Sequence, residues 1–391
     1  MTPETIISKP TPGESSGERL EYGFGFFKTQ NERLTEEDAL AWHLIDKLAL
    51  KKLSPEEIGK RLWTTYQILD QNVASLKGGT TASTTVFDGE NLITATIGDS
   101  AIFGVAYRDD GSVIGVIRLN KQIHKPSQKE EIARIVKTGS KIDEGLVEGV
   151  FAVSRAIGDY GVQGIRGTVI NKAALAADAH IDIININTDL QILPEVPGKL
   201  QIIATCDGFT DGAGPHQQTK KGHEDYLRSC LQSYLGNTAG KASEKNIARY
   251  LADKAVASIT QHRKVDPRLF SQIDNIAVAV QTLGDNAVVL GAYDGHNGSV
   301  VAEYVADNVG RVFLEQCALA PEQYEEQEFS VTNNLEAYMR DNCEQDNSPK
   351  QPHHPVGRRP RSISFLSKDS FQSRRKRSGF NEEPPGANYR A

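Results

Sequence analysis

Asp274-Asn275-Ile276-Ala277-Val278-Ala279-Val280 and Ala287-Val288-Val289-Leu290-Gly291-Ala292-Tyr293-Asp294-Gly295-His296 are two apolar runs joined through Gly284-Asp285-Asn286. Each run is short, rich in small and β-branched residues and bounded by turn formers, which is the grammar of a strand. The linker predicts a hairpin, and counting outward from residue 284 or 285 sets Asp274 opposite Asp294 or Gly295. Both carboxylates then lie at the open end of one hairpin, within reach of a shared cation. A further run, Leu200 to Thr205, also leads into an acid, in Cys206-Asp207-Gly208.

Working outward, the stretch from Thr80 to Leu119 consists of β-rich runs broken by Asp88-Gly89 and Asp110-Gly111, which predict consecutive hairpins of an antiparallel meander. Ser54-Pro55-Glu56-Glu57 carries the signals of a helix start: a capping serine, proline at the first position and glutamate three residues after the cap. Ile58, Leu62, Tyr66, Leu69 and Val73 give that helix one apolar face. Further helices are predicted near Lys129 to Val136, from Glu244 to Gln261, and after Val300, where Val301, Tyr304, Val305, Val309, Val312 and Phe313 share a face and the helix ends near Cys317. The class is α+β with large antiparallel sheets.

With 391 residues and 38% hydrophobic content, the chain can bury the core of one large domain. We expect a loose lead over residues 1–20, a folded domain over 21–318 and a largely disordered tail over 319–391. No run of eighteen apolar residues occurs, and Met1 to Pro12 lacks a basic start followed by an apolar stretch, so neither a transmembrane segment nor a secretory signal is expected. The expected address is intracellular: cytoplasmic, or nuclear if the basic tail is read by import. Cys206, Cys230, Cys317 and Cys343 are too scattered for a thiolate metal site or a disulfide framework, and none starts a Cys-x5-Arg phosphate loop. The net charge of −7 hides an asymmetry: Arg358 to Arg377 holds eight Lys or Arg against Asp369, a local +7, which leaves −14 for the remainder. An acidic body suits cations held by carboxylates and argues against a nucleic-acid groove in the folded part. The basic tail, with Ser362, Ser364 and Ser378 among its arginines, suits kinase recognition, docking to a partner or attraction to an anionic membrane surface. A monomer is expected.

Acids gather in four places: Arg33-Leu34-Thr35-Glu36-Glu37-Asp38, Cys206-Asp207-Gly208, Asp274-Asn275 and Tyr293-Asp294-Gly295-His296. Hard cations need oxygen ligands, and carboxylates converging from several strand ends supply them. Read with Gly79-Thr80-Thr81-Ala82, Ile97-Gly98-Asp99-Ser100, His124-Lys125-Pro126-Ser127, Ser154-Arg155-Ala156-Ile157-Gly158-Asp159 and Phe209-Thr210-Asp211, these segments resemble the metal-dependent Ser/Thr phosphatases of the PPM or PP2C type over residues 21–282. The Asp-Gly-His-x-Gly segment departs from that pattern. In the family it follows the Arg/Glu-Asp segment and precedes Gly-Thr-Thr-Ala; here it is Asp294 to Gly298, as in a circular permutation of one strand and its helix. The resemblance implies a sandwich of two antiparallel β-sheets flanked by helices, with permuted strand order.

The resemblance also implies roles. Asp294 would bridge two divalent cations, Mn²⁺ or Mg²⁺; Glu37 and the Gly295 carbonyl would hold one, and Asp207 with Asp274 the other, with Asp38 completing the cluster through metal-bound water. A metal-bridged hydroxide would then hydrolyse phosphoserine or phosphothreonine in a phosphoprotein substrate. Arg33, expected on one strand segment with Glu37, would fork two phosphate oxygens, or else form a structural ion pair with Glu36 or Glu37. His296 would protonate the leaving oxygen. Asp159 and Asp211 are expected to brace loops rather than touch metal. Ile123 stands where the family commonly has Asp before His-Lys-Pro-Ser, so a third metal site is not expected. Two other readings share parts of this pattern: a non-catalytic shell that binds a partner, and a hydrolase of small phosphorylated molecules. Retention of the whole acid set with Arg33 and His296 favours the enzyme.

Overall fold

The computed structural model describes residues 5–8, 14–19, 23–189, 197–238, 247–270 and 272–344. Two six-stranded antiparallel sheets form its centre. The first runs β1-β4-β16-β6-β7-β13, from β1 (Thr5–Ser8), β4 (Ala39–Ile45), β6 (Ala82–Phe87), β7 (Asn91–Ile97), β13 (His180–Asn185) and β16 (Ala287–Tyr293). The second runs β2-β3-β15-β14-β8-β9, from β2 (Glu14–Arg19), β3 (Phe24–Thr29), β8 (Ala101–Tyr107), β9 (Val113–Arg118), β14 (Lys199–Thr205) and β15 (Ile276–Thr282). A three-stranded ribbon orders β12 (Ile157–Gly158), β5 (Gly79–Thr80) and β17 (Gly295–His296), and β10 (Ile142–Asp143) pairs with β11 (Leu146–Val147).

Alternation along the strands explains the layers, because successive side chains point to opposite faces of a sheet. In β4, Leu40 and Trp42 enter the core between the sheets, while Ala39, Ala41 and Ile45 meet α1 (Lys47–Leu50), α2 (Pro55–Asn72) and α7 (Val300–Ala318). In β15, Ala277 and Ala279 face the inter-sheet core, while Ile276, Val278 and Val280 pack outward with α5 (Lys220–Thr238) and α6 (Ile247–Val265). The result is a helix–sheet–sheet–helix sandwich, as expected, with α3 (Lys129–Lys137) and the short α4 (Asp207–Thr210) beside it. The capping box at Ser54 and Glu57 forms, and Ile58, Leu62, Tyr66, Leu69 and Val73 are all buried.

The expected hairpin between residues 274 and 296 does not form. β15 lies in the second sheet between β3 and β14, and β16 lies in the first between β4 and β6. Both runs are buried along nearly their whole length, so each needs a strand on either side and cover on both faces, which one hairpin cannot supply. The chain therefore crosses the sandwich through residues 283–286. The two strands still run in opposite directions, and Asp274 and Asp294 return to one end. The expected meander splits in the same way: β6–β7 and β8–β9 are hairpins, but Gly98-Asp99-Ser100 carries the chain from the first sheet to the second.

Both expected domain boundaries shift. β1 pairs with β4 and β2 with β3, so the lead contributes an edge strand to each sheet. Over Pro321–Glu344, the first part of the stretch expected to be largely disordered, the chain forms α8. Its polar composition concealed it. The Tyr324 hydroxyl bonds Thr64 Oγ1 at 2.8 Å, the Arg61 guanidinium stands 4.1 Å from the Tyr324 ring centroid, and Val331 is buried. The basic stretch 358–377 and its serines lie outside the described residues. Among the described residues no helix is long and apolar enough to cross a membrane.

Leu69→Ala, which empties a fully buried position on α2, should cost about 2–5 kcal/mol in chemical denaturation. Tyr324→Ala should also lower the midpoint, through loss of the Thr64 bond and the Arg61 stacking; an unchanged midpoint would show that α8 adds nothing to the fold's stability.

Candidate metal centre

Antiparallel pairing brings the acids together. Tyr293 is registered against Ala39, so Asp294 follows the end of β16 beside Asp38, which precedes the start of β4. In the other sheet Thr205 is registered against Val278, so Asp207, after β14, lies beside the segment 274–275 that leads into β15. Four strand ends therefore deliver Asp38, Asp207, Asp274 and Asp294 to one end of the sandwich. Residues 30–38 form turns and bends rather than the strand segment expected for Arg33 and Glu37.

Side-chain geometry makes this end unusual. Asp38 is 1% exposed, and neither of its carboxylate oxygens has a hydrogen-bond partner. Single ligand atoms of Asp38, Asp294 and Cys206 all lie within 4.8 Å of one another. Burial, then the charges of Glu36, Asp274 and Asp207, push Asp38 well above the usual carboxylate range. Asp294 is pushed up the same way, by burial first and then by Asp207, Asp38 and Asp274. Asp207, hydrogen-bonded to Asp294, is raised to about 6, chiefly by burial, and Glu36 to about 7 for the same reason. A set of oxygen donors with buried, unpartnered carboxylate oxygens fits a hard divalent cation.

The remaining expected residues lie around this cluster. Glu37 Oε1 accepts from Gly298 N at 2.9 Å and from Thr35 Oγ1 at 3.2 Å, and a side chain on Gly295 would collide with the Glu37 carbonyl. Gly295 pairs with Thr80, and the Asp294 carbonyl accepts from Thr81 N at 2.9 Å. Arg33 does not form the alternative ion pair with Glu36 or Glu37: its fork grips Asp274, with Nη2 3.1 Å from Oδ2 and Nε on Oδ1. His296 Nε2 lies 2.6 Å from Asp159 Oδ2. Burial works against the His296 cation, but the Asp159 carboxylate outweighs it and the pKa rises.

Several neighbours to which the sequence alone assigns no place at the cluster also lie beside it. Cys206 borders Asp38 and Asp294, although its thiol is otherwise engaged with the Asn275 carbonyl at 3.4 Å. Asp211 is raised to about 8, mainly by burial and then by Asp207. Lys125 Nζ stands 2.9 Å from Asp99 Oδ2, and Asp99 is the charge that most strongly raises Asp207. The segments holding Asp99, Lys125, Asp159 and Asp211 were noticed in the sequence. The pairing of Asp99 with Lys125 and of Asp159 with His296, across 26 and 137 residues of chain, was not readable from it.

The protein phosphatase 2C family model matches residues 39–263, more than half of the chain. The human integrin-linked kinase-associated serine/threonine phosphatase 2C is 26% identical over 213 residues, covering 53% of this chain and 45% of that protein. Probable protein phosphatase 2C 27 of Arabidopsis thaliana is 31% identical over 147 residues, 37% of this chain and 33% of that protein. The chain thus spans half or less of the length of these relatives. Among solved structures, a serine-threonine phosphatase 2C from Toxoplasma gondii aligns with 72% of this chain and 100% of its own at 15% identity and a TM-score of 0.40. On the family match, this chain belongs to the protein phosphatase 2C family.

Proposed function

We propose that this chain hydrolyses phosphoserine and phosphothreonine in proteins, using two divalent cations, Mn²⁺ or Mg²⁺, held by Glu37, Asp38, Asp207, Asp274, Asp294 and the Gly295 carbonyl. The observation that carries the reading is Asp38: a buried carboxylate with two unpartnered oxygens, beside three further acids that raise or share its charge. Such a group is costly unless a cation compensates it. Cations bound there would neutralise phosphate charge and lower the pKa of water, as hydrolysis of a phosphate monoester requires.

In this reading Arg33 exchanges Asp274 for two phosphate oxygens, for which its fork has the matching geometry. His296, whose cation is favoured by the neighbouring Asp159 carboxylate, donates a proton to the departing serine or threonine oxygen. The position of β16 between β4 and β6 supports reading the late Asp-Gly-His segment as a family strand that enters the sheet from the other side of the sequence. A monomeric, cytoplasmic enzyme, with the basic stretch after residue 357 docking to a partner or an anionic membrane, completes the proposal.

Purified protein should turn over a phosphothreonine peptide with Mn²⁺ or Mg²⁺, and either EDTA or Asp294→Ala should cut the rate at least ~100-fold, the scale of losing a charge-stabilising contact. Absence of turnover by a correctly folded wild type would sink the assignment. Asp38→Asn should raise the melting temperature of the metal-free protein while shrinking the rise that Mn²⁺ produces. The pH dependence has a definite sign. Asp207, Glu36 and Asp211 have folded pKa values raised to about 6, 7 and 8 from 3.8, 4.5 and 3.8, so the metal-free fold binds protons more tightly than the unfolded chain and loses stability as pH rises through that window. Cations compete with those protons, so the Mn²⁺-induced rise in melting temperature should be larger at pH 8 than at pH 6. An equal rise at both would contradict cation binding at Asp207 and the carboxyls coupled to it.

A further inference from the structure

His296 is set by Asp159, whose backbone is in the left-handed region at φ +58°, directly after Gly158 at φ +89°, a value that glycine adopts without strain. A side chain at 158 would meet the Gly78 carbonyl 2.7 Å away, and a side chain at 79 would strike the Asp159 carboxylate. A non-glycine residue stays in this region only when its surroundings over-determine it. Part of that determination comes from the ribbon, where Asp159 N donates to the Gly78 carbonyl at 2.8 Å. The rest comes from a buried group outside the acid cluster.

Asp70, on α2, is 6% exposed. Its Oδ1 accepts from Gly158 N at 2.8 Å and its Oδ2 from the Tyr160 hydroxyl at 2.6 Å. Lys172 Nζ, also buried, lies 3.0 Å from Asp70 Oδ1, donates to the carbonyls of Ala156 at 2.8 Å and Leu175 at 3.1 Å, and stands 5.1 Å from the Tyr160 ring centroid. One ion pair thus grips the chain at 156, 158 and 160, on both sides of Asp159. Packing alone does not call for this, because a buried ion pair is often no more stabilising than apolar residues of the same volume. What it adds is a fixed location for the residue between its contacts.

We propose that Asp70, Lys172 and Tyr160 are positioning residues that hold Asp159, and through it His296, in place for proton donation to the leaving group. The inference rests on the phosphatase reading above. A proton donor displaced by a fraction of an ångström loses its effect on a poor leaving group, such as a threonine alkoxide. A p-nitrophenolate needs no proton and is indifferent to the displacement.

The test uses the full chain with Mn²⁺ and two substrates, a phosphothreonine peptide and p-nitrophenyl phosphate. Tyr160→Phe should lower kcat on the peptide about 5- to 10-fold with KM unchanged, and should leave p-nitrophenyl phosphate within about 2-fold. In a His296→Ala background the same substitution should change neither rate. Lys172→Met should act in the same direction and more strongly, with the Mn²⁺-induced rise in melting temperature confirming that the variant folds. Equal losses on both substrates, or a peptide loss that persists without His296, would overturn the proposal while leaving the phosphatase reading intact. A wild type that turns over neither substrate would remove that reading, and this inference with it.

Discussion

Repulsion among buried carboxylates is the constraint around which this molecule is organised. Asp38, Asp207, Asp274 and Asp294 sit at one end of the sandwich, and burial raises the cost of ionising Asp38, Asp207 and Asp294. Left to themselves such groups would move apart or draw in water. They stay because each is attached to the end of a strand whose remaining length is locked into a sheet, and central strands buried on both faces cannot slide without exposing their apolar side chains. The hydrophobic core thus holds in place a charge arrangement that local interactions oppose. Arg33 on Asp274 and Lys125 on Asp99 relieve part of the load from the rim.

A second level of organisation surrounds the first. Arg155 binds Glu131 and Asp178, and Arg134 binds Glu131 and the Ser154 carbonyl, so the segment from 154 to 160 is tethered at its start by arginines and at its end by the Asp70–Lys172 pair. That segment lies across the ribbon from His296. Rigid elements therefore supply the cluster, and a heavily bonded loop supplies the histidine's partner.

Local rules made much of this legible in the sequence. The cap at Ser54, the apolar face of α2, the valine face of α7 and the turns at Asp88-Gly89 and Asp110-Gly111 depend on neighbours a few residues apart, and all formed as read. The acids were legible because each follows or precedes an apolar run. The sheet to which a run belongs was not, since β15 and β16 satisfy the grammar of a hairpin and differ from one only in being buried on both faces. The same limit hid the partner of Arg33: the local candidates Glu36 and Glu37 were nearby in sequence, whereas Asp274 lies 241 residues away. Helix α8 escaped because Tyr324 and Val331 are too few to give a periodic signal in an acidic stretch.

The placement of β16 bears on how the protein is made. Its neighbours β4 and β6 leave the ribosome before it, and the gap between them is filled by residues made more than two hundred positions later; Ser83, for example, pairs with Ala292. Until then the first sheet has two facing unpaired edges, of the kind that invites wrong partners. Closure depends on contacts very distant in sequence, which form slowly. The nascent chain would therefore carry an open seam while the roughly two hundred residues between β6 and β16 are made, and the step that seals it is the same one that brings Asp294 and His296 to the other residues.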